Sequence, residues 1–534
     1  MAFFSKGILL CKRIIAFFLA IIFSITGKIG CTFDKQGVYE SADSRLSYCF
    51  YAPTRKVMPG ETICKTAEYT VRLAKNEMEG CHLVLHSRGG SERFKVQFTQ
   101  FTNANGDELK TDLFYEHYIR CYYKKVDHGT FPDALVEIGE DTVCELEPNK
   151  NLPIYIRAKT DADSVAGDYS AEITVTDEYG SEVLLRTEVK AKVWNFTLPV
   201  TPTCVTAFGN SCGQGFRDRY PVGEEEYKKI KKKLNDNLLE HKLSPYFLLN
   251  EITTGEADEE MSDPRRTSFI IPYTGNEQLL QARWQKVSSN PDWAKKAYFY
   301  VVDEPQTLAH VESIINVSEQ LNRLCPGFRQ VVPNNLQKLR DDLRIDLVDD
   351  VYKDRVNILC PVSFNFTDPF YAKKMQKYKA EGYDLWWYVC CAPLGPFCNF
   401  TVNQEGIRHR MLFWQQKSMN IDGMLYWETA YWDYVNPWED IMTVPWTKSI
   451  AFGDGLLFYD GDDGPVPSLR LELVSDGVDD FEYLTIAEEL FGRKYVDKKI
   501  RALSTGLTQY TLCDEAMASV RAQLGDDIEK AING

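Results

Sequence analysis

The sequence predicts a multidomain β plus α/β chain: an N-terminal β-sandwich, a (β/α)8 TIM-type barrel, and a C-terminal loop-plus-helix appendix. Three observations predict it. Up to Pro199 short segments alternate apolar with polar residues between turn signals, the pattern of half-buried strands. Beyond Pro202 apolar strands alternate with helical patterns instead, as parallel pairing with crossover helices requires. From about Thr429 the regular alternation gives way to loop text and then helix. The expected divisions are a leader over 1–30, the sandwich over 31–200, the barrel over 201–460 and the appendix over 461–534.

The N-terminus carries Lys6, Lys12 and Arg13 before the apolar run Ile14 to Ile25, a secretory signal too short to span a bilayer comfortably. Cleavage is expected near Gly27. Cys31 after Ile29-Gly30 resembles a bacterial lipoprotein acceptor, although Lys28 stands where that signal wants an aliphatic residue. An uncleaved anchor is the remaining alternative, so any membrane attachment is N-terminal and the protein is expected to be secreted, periplasmic or surface-bound.

In the sandwich, strands are expected at Glu68–Leu73, Cys81–His86, Phe94–Phe101, Ile154–Ala158, Tyr169–Val175 and Glu182–Val193. Asn76-Glu77, Gly89-Gly90, Asn105-Gly106-Asp107 and Ala166-Gly167-Asp168 mark turns. In the barrel about eight strands are legible, the number a closed barrel needs. They are Thr203–Gly209, Leu243–Leu249, Ser268–Tyr273, Ala297–Asp303, Arg329–Pro333, Val356–Val362, Asp384–Cys390 and Gly423–Trp427. Between them, Tyr227, Ile230, Leu234 and Leu238 recur at helical spacing. Asp368-Pro369 reads as an N-cap with proline in the first turn, ahead of the stripe Tyr371, Met375 and Tyr378. Ile407, Met411 and Trp414 mark a further helix. In the tail, Pro465, Pro467 and Gly477 are expected to break the chain before helix sets in at about Val478.

Net charge −16 and a pI near 5.1 argue against nucleic acid as a partner and suit a neutral ligand. The 15 cysteines lack CxxC spacing and the seven histidines lack HExxH, so no metal site or cofactor is expected. Export would permit disulfides, with no pairing deducible. Gly209-Asn210-Ser211-Cys212-Gly213 fits the GxSxG nucleophile pattern, but Gln214-Gly215-Phe216 reads as continuing loop where that motif demands an immediate helix.

The stretch Ala297-Tyr298-Phe299-Tyr300-Val301-Val302 runs into Asp303-Glu304-Pro305. Proline ends the ladder, so both acids sit at the strand's C-terminal end, where barrels build active sites. Two carboxyls there are minimum equipment for cleaving a glycosidic bond; the plainer alternative is a strand-ending turn with solvated acids. Other strand ends bring Asn334, Tyr388, Tyr426, Trp427 and Glu428, with Trp432 just beyond, groups suited to sugar rings and hydroxyls. Of the neighbours Trp386 and Trp387, at least one should be packing, since they face opposite sides. Arg470, Glu472 and Asp476 read better as ties for a loop than as substrate contacts.

Several motifs follow one another in a recognisable order: Asp303-Glu304-Pro305; Trp387-Tyr388-Val389-Cys390 with Pro393; Arg410 and Trp414; Asp422-Gly423-Met424-Leu425-Tyr426-Trp427; Pro437-Trp438; Gly453-Asp454-Gly455; Gly464-Pro465 through Glu472; and Asp476-Gly477-Val478-Asp479-Asp480-Phe481-Glu482-Tyr483-Leu484. Set in this order they resemble glycoside hydrolase family 123. Ser475 departs from the pattern, which usually has arginine there, with an expected effect on tail packing. The resemblance implies a retaining β-N-acetylhexosaminidase acting on β-linked N-acetylgalactosamine by substrate-assisted catalysis. It implies Glu304 as acid and base, and Asp303 as the group that holds the substrate's acetamido N–H. A glycosidase for a non-acetylated sugar and a non-catalytic carbohydrate-binding surface protein are the alternatives; in each the partner is a glycan.

Overall fold

In the computed structural model, residues 45–63, 66–433, 435–442, 444–445 and 447–534 are described. The expected leader and Cys31 lie outside them. The N-terminal half of the fold is built from eleven strands in two layers. Leu46–Tyr51, Met78–Ser87, Asn151–Lys159, Glu108–Tyr123 and Val126–Glu137 form one layer. Thr70–Lys75, Val183–Thr197, Gly167–Asp177, Glu92–Phe98, Phe101–Asn103 and Cys144–Leu146 form the other. The 16-residue strand Glu108–Tyr123 starts against Phe101–Asn103 and continues into the first layer, so the layers are continuous. Period-two alternation packs Leu83, Leu85, Ile154, Ile156, Ile173 and Val189 between them. Sequence patterning found six of these strands. It missed Leu46–Tyr51, the short Phe101–Asn103 and Cys144–Leu146, and Glu108–Tyr123 and Val126–Glu137, the last two being long hairpin partners with polar faces and no strong turn signal inside.

The second half is a nearly closed parallel sheet of seven strands. These are β1 (Val205–Phe208), β2 (Phe269–Ile270), β3 (Ala297–Tyr300), β4 (Gln330–Asn334), β5 (Ile358–Pro361), β6 (Asp384–Val389) and β7 (Gly423–Tyr426). Around the sheet they run β1-β7-β6-β5-β4-β3-β2. The strand expected at Leu243–Leu249 is reduced to one bridge, Phe208 to Pro245. Proline cannot donate to a ladder, and only three backbone bonds stitch the seam: Phe208 N–H to Ser244 O (2.9 Å), Tyr246 N–H to Phe208 O (2.9 Å) and Ile270 N–H to Tyr246 O (2.7 Å). Ala207, Tyr246, Tyr298, Val331, Cys360, Trp386, Tyr388 and Leu425 fill the interior.

The expected helices form at Glu224–Glu240 (α1), Pro369–Ala380 (α2) and Gly406–Ser418 (α3). The Asp368 carboxylate caps α2 by accepting from Phe370 N–H at 2.9 Å. Two local expectations fail. A helix, Gly213–Arg219, starts at the last residue of the GxSxG segment, where loop was expected. In the tail, helix α4 runs unbroken over Leu469–Phe491, with Ser468 as its cap. Gly477 does not break it, because tertiary packing overrides propensity: a Cβ there would lie 2.3 Å from the Phe413 ring, so glycine is what lets α3 and α4 touch. The chain ends in Arg493–Leu503 and α5 (Asp514–Asn533).

The described residues form one compact unit, with the sandwich packed on the helices. Leu469 and Leu473 of α4 pack on Phe114, Leu135 and Tyr155. Gly525 of α5 admits the Trp194 indole, whose Nε1 donates to Asp526 at 2.8 Å. At the centre, the buried Arg410 side chain reaches Asp480 (2.6 Å), Glu79 (2.9 Å) and Asp476 (3.1 Å), and Arg521 reaches Asp480 (2.8 Å) and Glu77. Burial opposes charge on Asp480, but the two guanidiniums outweigh it and hold that carboxyl below its ordinary pKa. Asp476 receives one arginine nitrogen only; burial and Glu79 raise its pKa.

Candidate active site

Alternation along each strand decides which side chains reach the barrel axis. On β3, Tyr298 and Tyr300 face inward while Ala297 and Phe299 pack outward. The chain then leaves the ladder, and Asp303 and Glu304 follow at the C-terminal mouth. Glu304 adopts φ of 37°, a left-handed conformation costing about 1 kcal/mol or more in a residue with a Cβ. Its N–H is clipped to Pro333 O at 3.1 Å, tying the turn to the end of β4.

Each acid has its own tyrosine. Tyr300 Oη donates to Asp303 Oδ1 at 2.7 Å, and Tyr388 Oη donates to Glu304 Oε1 at 2.5 Å. Burial first, then the adjacent carboxylate, raises both phenol pKa values, so both remain donors. The Asp303 carboxyl meets water at its surface, yet the mouth strips solvent from its base. That desolvation, helped by the Glu304 charge and opposed by Tyr300, raises the Asp303 pKa.

Of the six side chains expected to bind substrate, only Trp427 keeps appreciable open surface. Tyr388 is inward and buried beneath Glu304. Asn334 points out of the barrel, donating from Nδ2 to Tyr352 Oη (2.8 Å) and Val332 O (2.9 Å). Tyr426 also faces outward and donates to Asp454 Oδ1 at 3.2 Å. Glu428 is sealed: Ser211 Oγ, Cys212 N–H (3.0 Å) and Thr429 N–H (2.8 Å) donate to it. Trp432 stacks on Phe216 at 4.7 Å and donates to Phe458 O at 2.9 Å. Buried in protein contacts, Asn334, Tyr426, Glu428 and Trp432 lie behind the mouth rather than at its opening. Ser211 thus pairs with a carboxylate, and the left-handed residue of its turn is Cys212 (φ 68°), not the serine. Trp386 and Trp387 both pack, the first inside against Tyr298 and the second outward, donating to Gln416 at 3.1 Å.

Three groups escaped sequence reasoning. Tyr300 is one; its place three residues before Asp303 was the available signal. Tyr246 lies on the seam, its ring 5.9 Å from that of Tyr300 and its buried hydroxyl without a protein partner. Asp454 accepts from Trp427 Nε1 at 3.1 Å and steadies that indole. Burial pushes its pKa up to about 7 against the Trp427 and Tyr426 hydrogen bonds. Gly455 completes that turn with φ of 73°; a Cβ would strike the Trp427 ring at 2.2 Å.

Residues 276–487 match the family description "Glycoside hydrolase 123, catalytic domain". That match marks the chain as a glycosidase similar to family 123. A solved family 123 glycoside hydrolase from Clostridium perfringens, studied for glycolipid glycan hydrolysis, superposes with a TM-score of 0.65. It is 14% identical, over 91% of this chain and 98% of that one, and shows the shared fold. A family 39 glycoside hydrolase from Bacteroides cellulosilyticus (TM-score 0.34, 10% identity, 76% and 81% coverage) carries no argument. Nor does a Bacteroides uniformis β-glucuronidase (0.29, 9%, 85% and 50%). No curated protein matches the chain. The match to a glycoside hydrolase catalytic domain implies a glycan substrate.

Proposed function

We propose that this glycosidase removes terminal β-linked N-acetylhexosamine, N-acetylgalactosamine foremost, with retention through an oxazolinium intermediate. One observation carries the reading: the two open acids are chain neighbours on one wall of the mouth. The other carboxylates near the mouth are engaged, Glu251 by Arg283 (2.5 Å), Glu428 by backbone and Ser211, and Asp454, from the Gly453–Gly455 turn, by Trp427. An enzymic nucleophile would stand about 5–5.5 Å from the acid across the scissile bond. Here the substrate's 2-acetamido oxygen supplies the attack, at an effective molarity on the order of 10⁵ M or more. Glu304 protonates the departing oxygen and then takes a proton from water. Asp303 accepts the acetamido N–H, orienting the group and stabilising the developing positive charge. The Clostridium relative's glycolipid glycans make a glycolipid head group a reasonable natural substrate.

The test is hydrolysis of 4-nitrophenyl N-acetyl-β-galactosaminide beside its gluco epimer and the plain galactoside, with a thiazoline inhibitor. Turnover restricted to acetamido sugars and blocked by the thiazoline supports the mechanism. Turnover of the plain galactoside discards it and keeps the glycosidase.

A pH prediction follows from Asp303. It must be ionised to accept the N–H, and in the free enzyme its pKa is raised, so activity is lost as pH falls through a value above the ordinary aspartate pKa of about 3.9. A bound N–H favours the anion and lowers that value. The acid limb of kcat/KM should therefore lie at higher pH than that of kcat; coincident limbs would remove Asp303 from this contact.

A further inference from the structure

Two adjacent thiols stand where the hydrolytic reaction has no use for them. Nine of the twelve described cysteines are fully buried, whereas Cys390 and Cys391 are half-buried, with sulfurs 4.0 Å apart. Trp386 and Tyr388 face the barrel interior, and Cys390 continues that row at the mouth. Both sulfurs feel the charges of Glu304 and Asp454. Two residues upstream, Tyr388 holds Glu304. The main chain is firmly anchored, whereas the thiols make long contacts, with each other and from Cys390 Sγ to Ala392 O at 3.6 Å. Asn399 Nδ2 donates to Cys390 O and Pro393 O, each at 2.7 Å, and Cys390 N–H donates to Ala392 O at 3.0 Å. The hydrogen bond between the thiols lowers the Cys391 pKa, making it the readier thiolate.

We propose that Cys390 and Cys391 are a covalent modification site, which a low-molecular-weight disulfide closes into a disulfide between neighbours, lowering turnover while it is closed. The Cys391 thiolate attacks one sulfur of R–S–S–R and expels RS⁻. Cys390 then loses its proton and attacks the Cys391 sulfur, expelling the second RS⁻. Two protein thiols are oxidised, and one external disulfide is reduced to two RSH. The sulfurs must approach from 4.0 Å to about 2.05 Å. Adjacent Cα atoms stand only about 3.8 Å apart, below the usual disulfide span of about 4.4–6.8 Å. The ring is therefore strained and readily reduced, which makes the mark reversible. Turning the 390–391 peptide to close it moves the strand end that aims Tyr388 at Glu304.

The experiment treats the full chain with oxidised glutathione, then dithiothreitol, with alkylation, peptide mass mapping and glycosidase assay at each stage. The expected product is a Cys390–Cys391 peptide lighter by two hydrogens, about 2 Da. Turnover falls at least about threefold, part of the value of one hydrogen bond to a charged group, and dithiothreitol restores both. Cys391→Ser should keep basal turnover and lose the response. The proposal is overturned by an unchanged peptide, by glutathione retained as a mixed disulfide, by ring closure without loss of turnover, or by equal inactivation of Cys391→Ser. The effect on rate rests on the assignment of Glu304, whereas the mass change decides the cross-link by itself.

Discussion

Glu304→Gln is expected to lower turnover of glycosides with poor leaving groups by about 10²–10⁴, the usual worth of a positioned general acid. Activated aryl glycosides should lose far less, since their leaving groups depart without a proton. Glutamine keeps the shape of the side chain and can still accept from Tyr388 Oη, which in the parent donates at 2.5 Å, so the geometry of the mouth survives. What it cannot do is release a proton. Asp303→Asn provides the contrast: acting on the acetamido group, it should slow formation of the oxazolinium for good and poor leaving groups alike. Equal losses on both substrate types in Glu304→Gln, with an unchanged thermal midpoint, would remove Glu304 from the acid role.

The second large effect lies far from the chemistry. Arg410→Met should destabilise the fold by about 3–5 kcal/mol, the cost of stripping one partner from a buried ionic cluster. Glu79, Asp476 and Asp480 all meet this guanidinium, at 2.9, 3.1 and 2.6 Å, and Arg521 alone cannot serve them. Lysine cannot reproduce the forked contacts, so Arg410→Lys should fall in between. The Asp480 contribution has a definite pH sense. Its pKa is lower folded than unfolded, so this stability is fully present above the ordinary aspartate value and is lost as pH falls through the depressed one. Urea midpoints at neutral pH check the ranking, and a wild-type midpoint for Arg410→Met would show that the cluster contributes nothing.

Local patterning carried much of the architecture. The change from period-two strands to strands alternating with helices marks Pro199 as the passage from sandwich to barrel sheet, and Asp368-Pro369 places a helix start to the residue. The sequence also put Asp303 and Glu304 at a strand end. Two things escaped it. The seam at Pro245 was read as a strand because Leu243–Leu249 is apolar, whereas a missing N–H and one bridge decide the matter. The expected contacts Asn334 and Tyr426 ignored the alternation applied to Trp386 and Trp387: on β4 and β7 they share the outward face with Val332 and Met424. Applied throughout, the same rule favours Tyr388 and Trp427. Tyr246 and Asp454, brought in from a seam and a distant turn, are visible only once the chain has folded.

The Arg410 and Arg521 cluster also bears on inheritance. Its charges come from the sandwich, α3, α4 and α5, so the sandwich and the C-terminal helices each supply part of one buried ionic cluster. A segment bounded at 276–487 omits β1, β2, the sandwich acids and Arg521, so Arg410 keeps Asp476 and Asp480 but loses Glu79, and Asp480 loses Arg521. Recombination that exchanged either half for a distant homologue's would have to carry these matched charges with it.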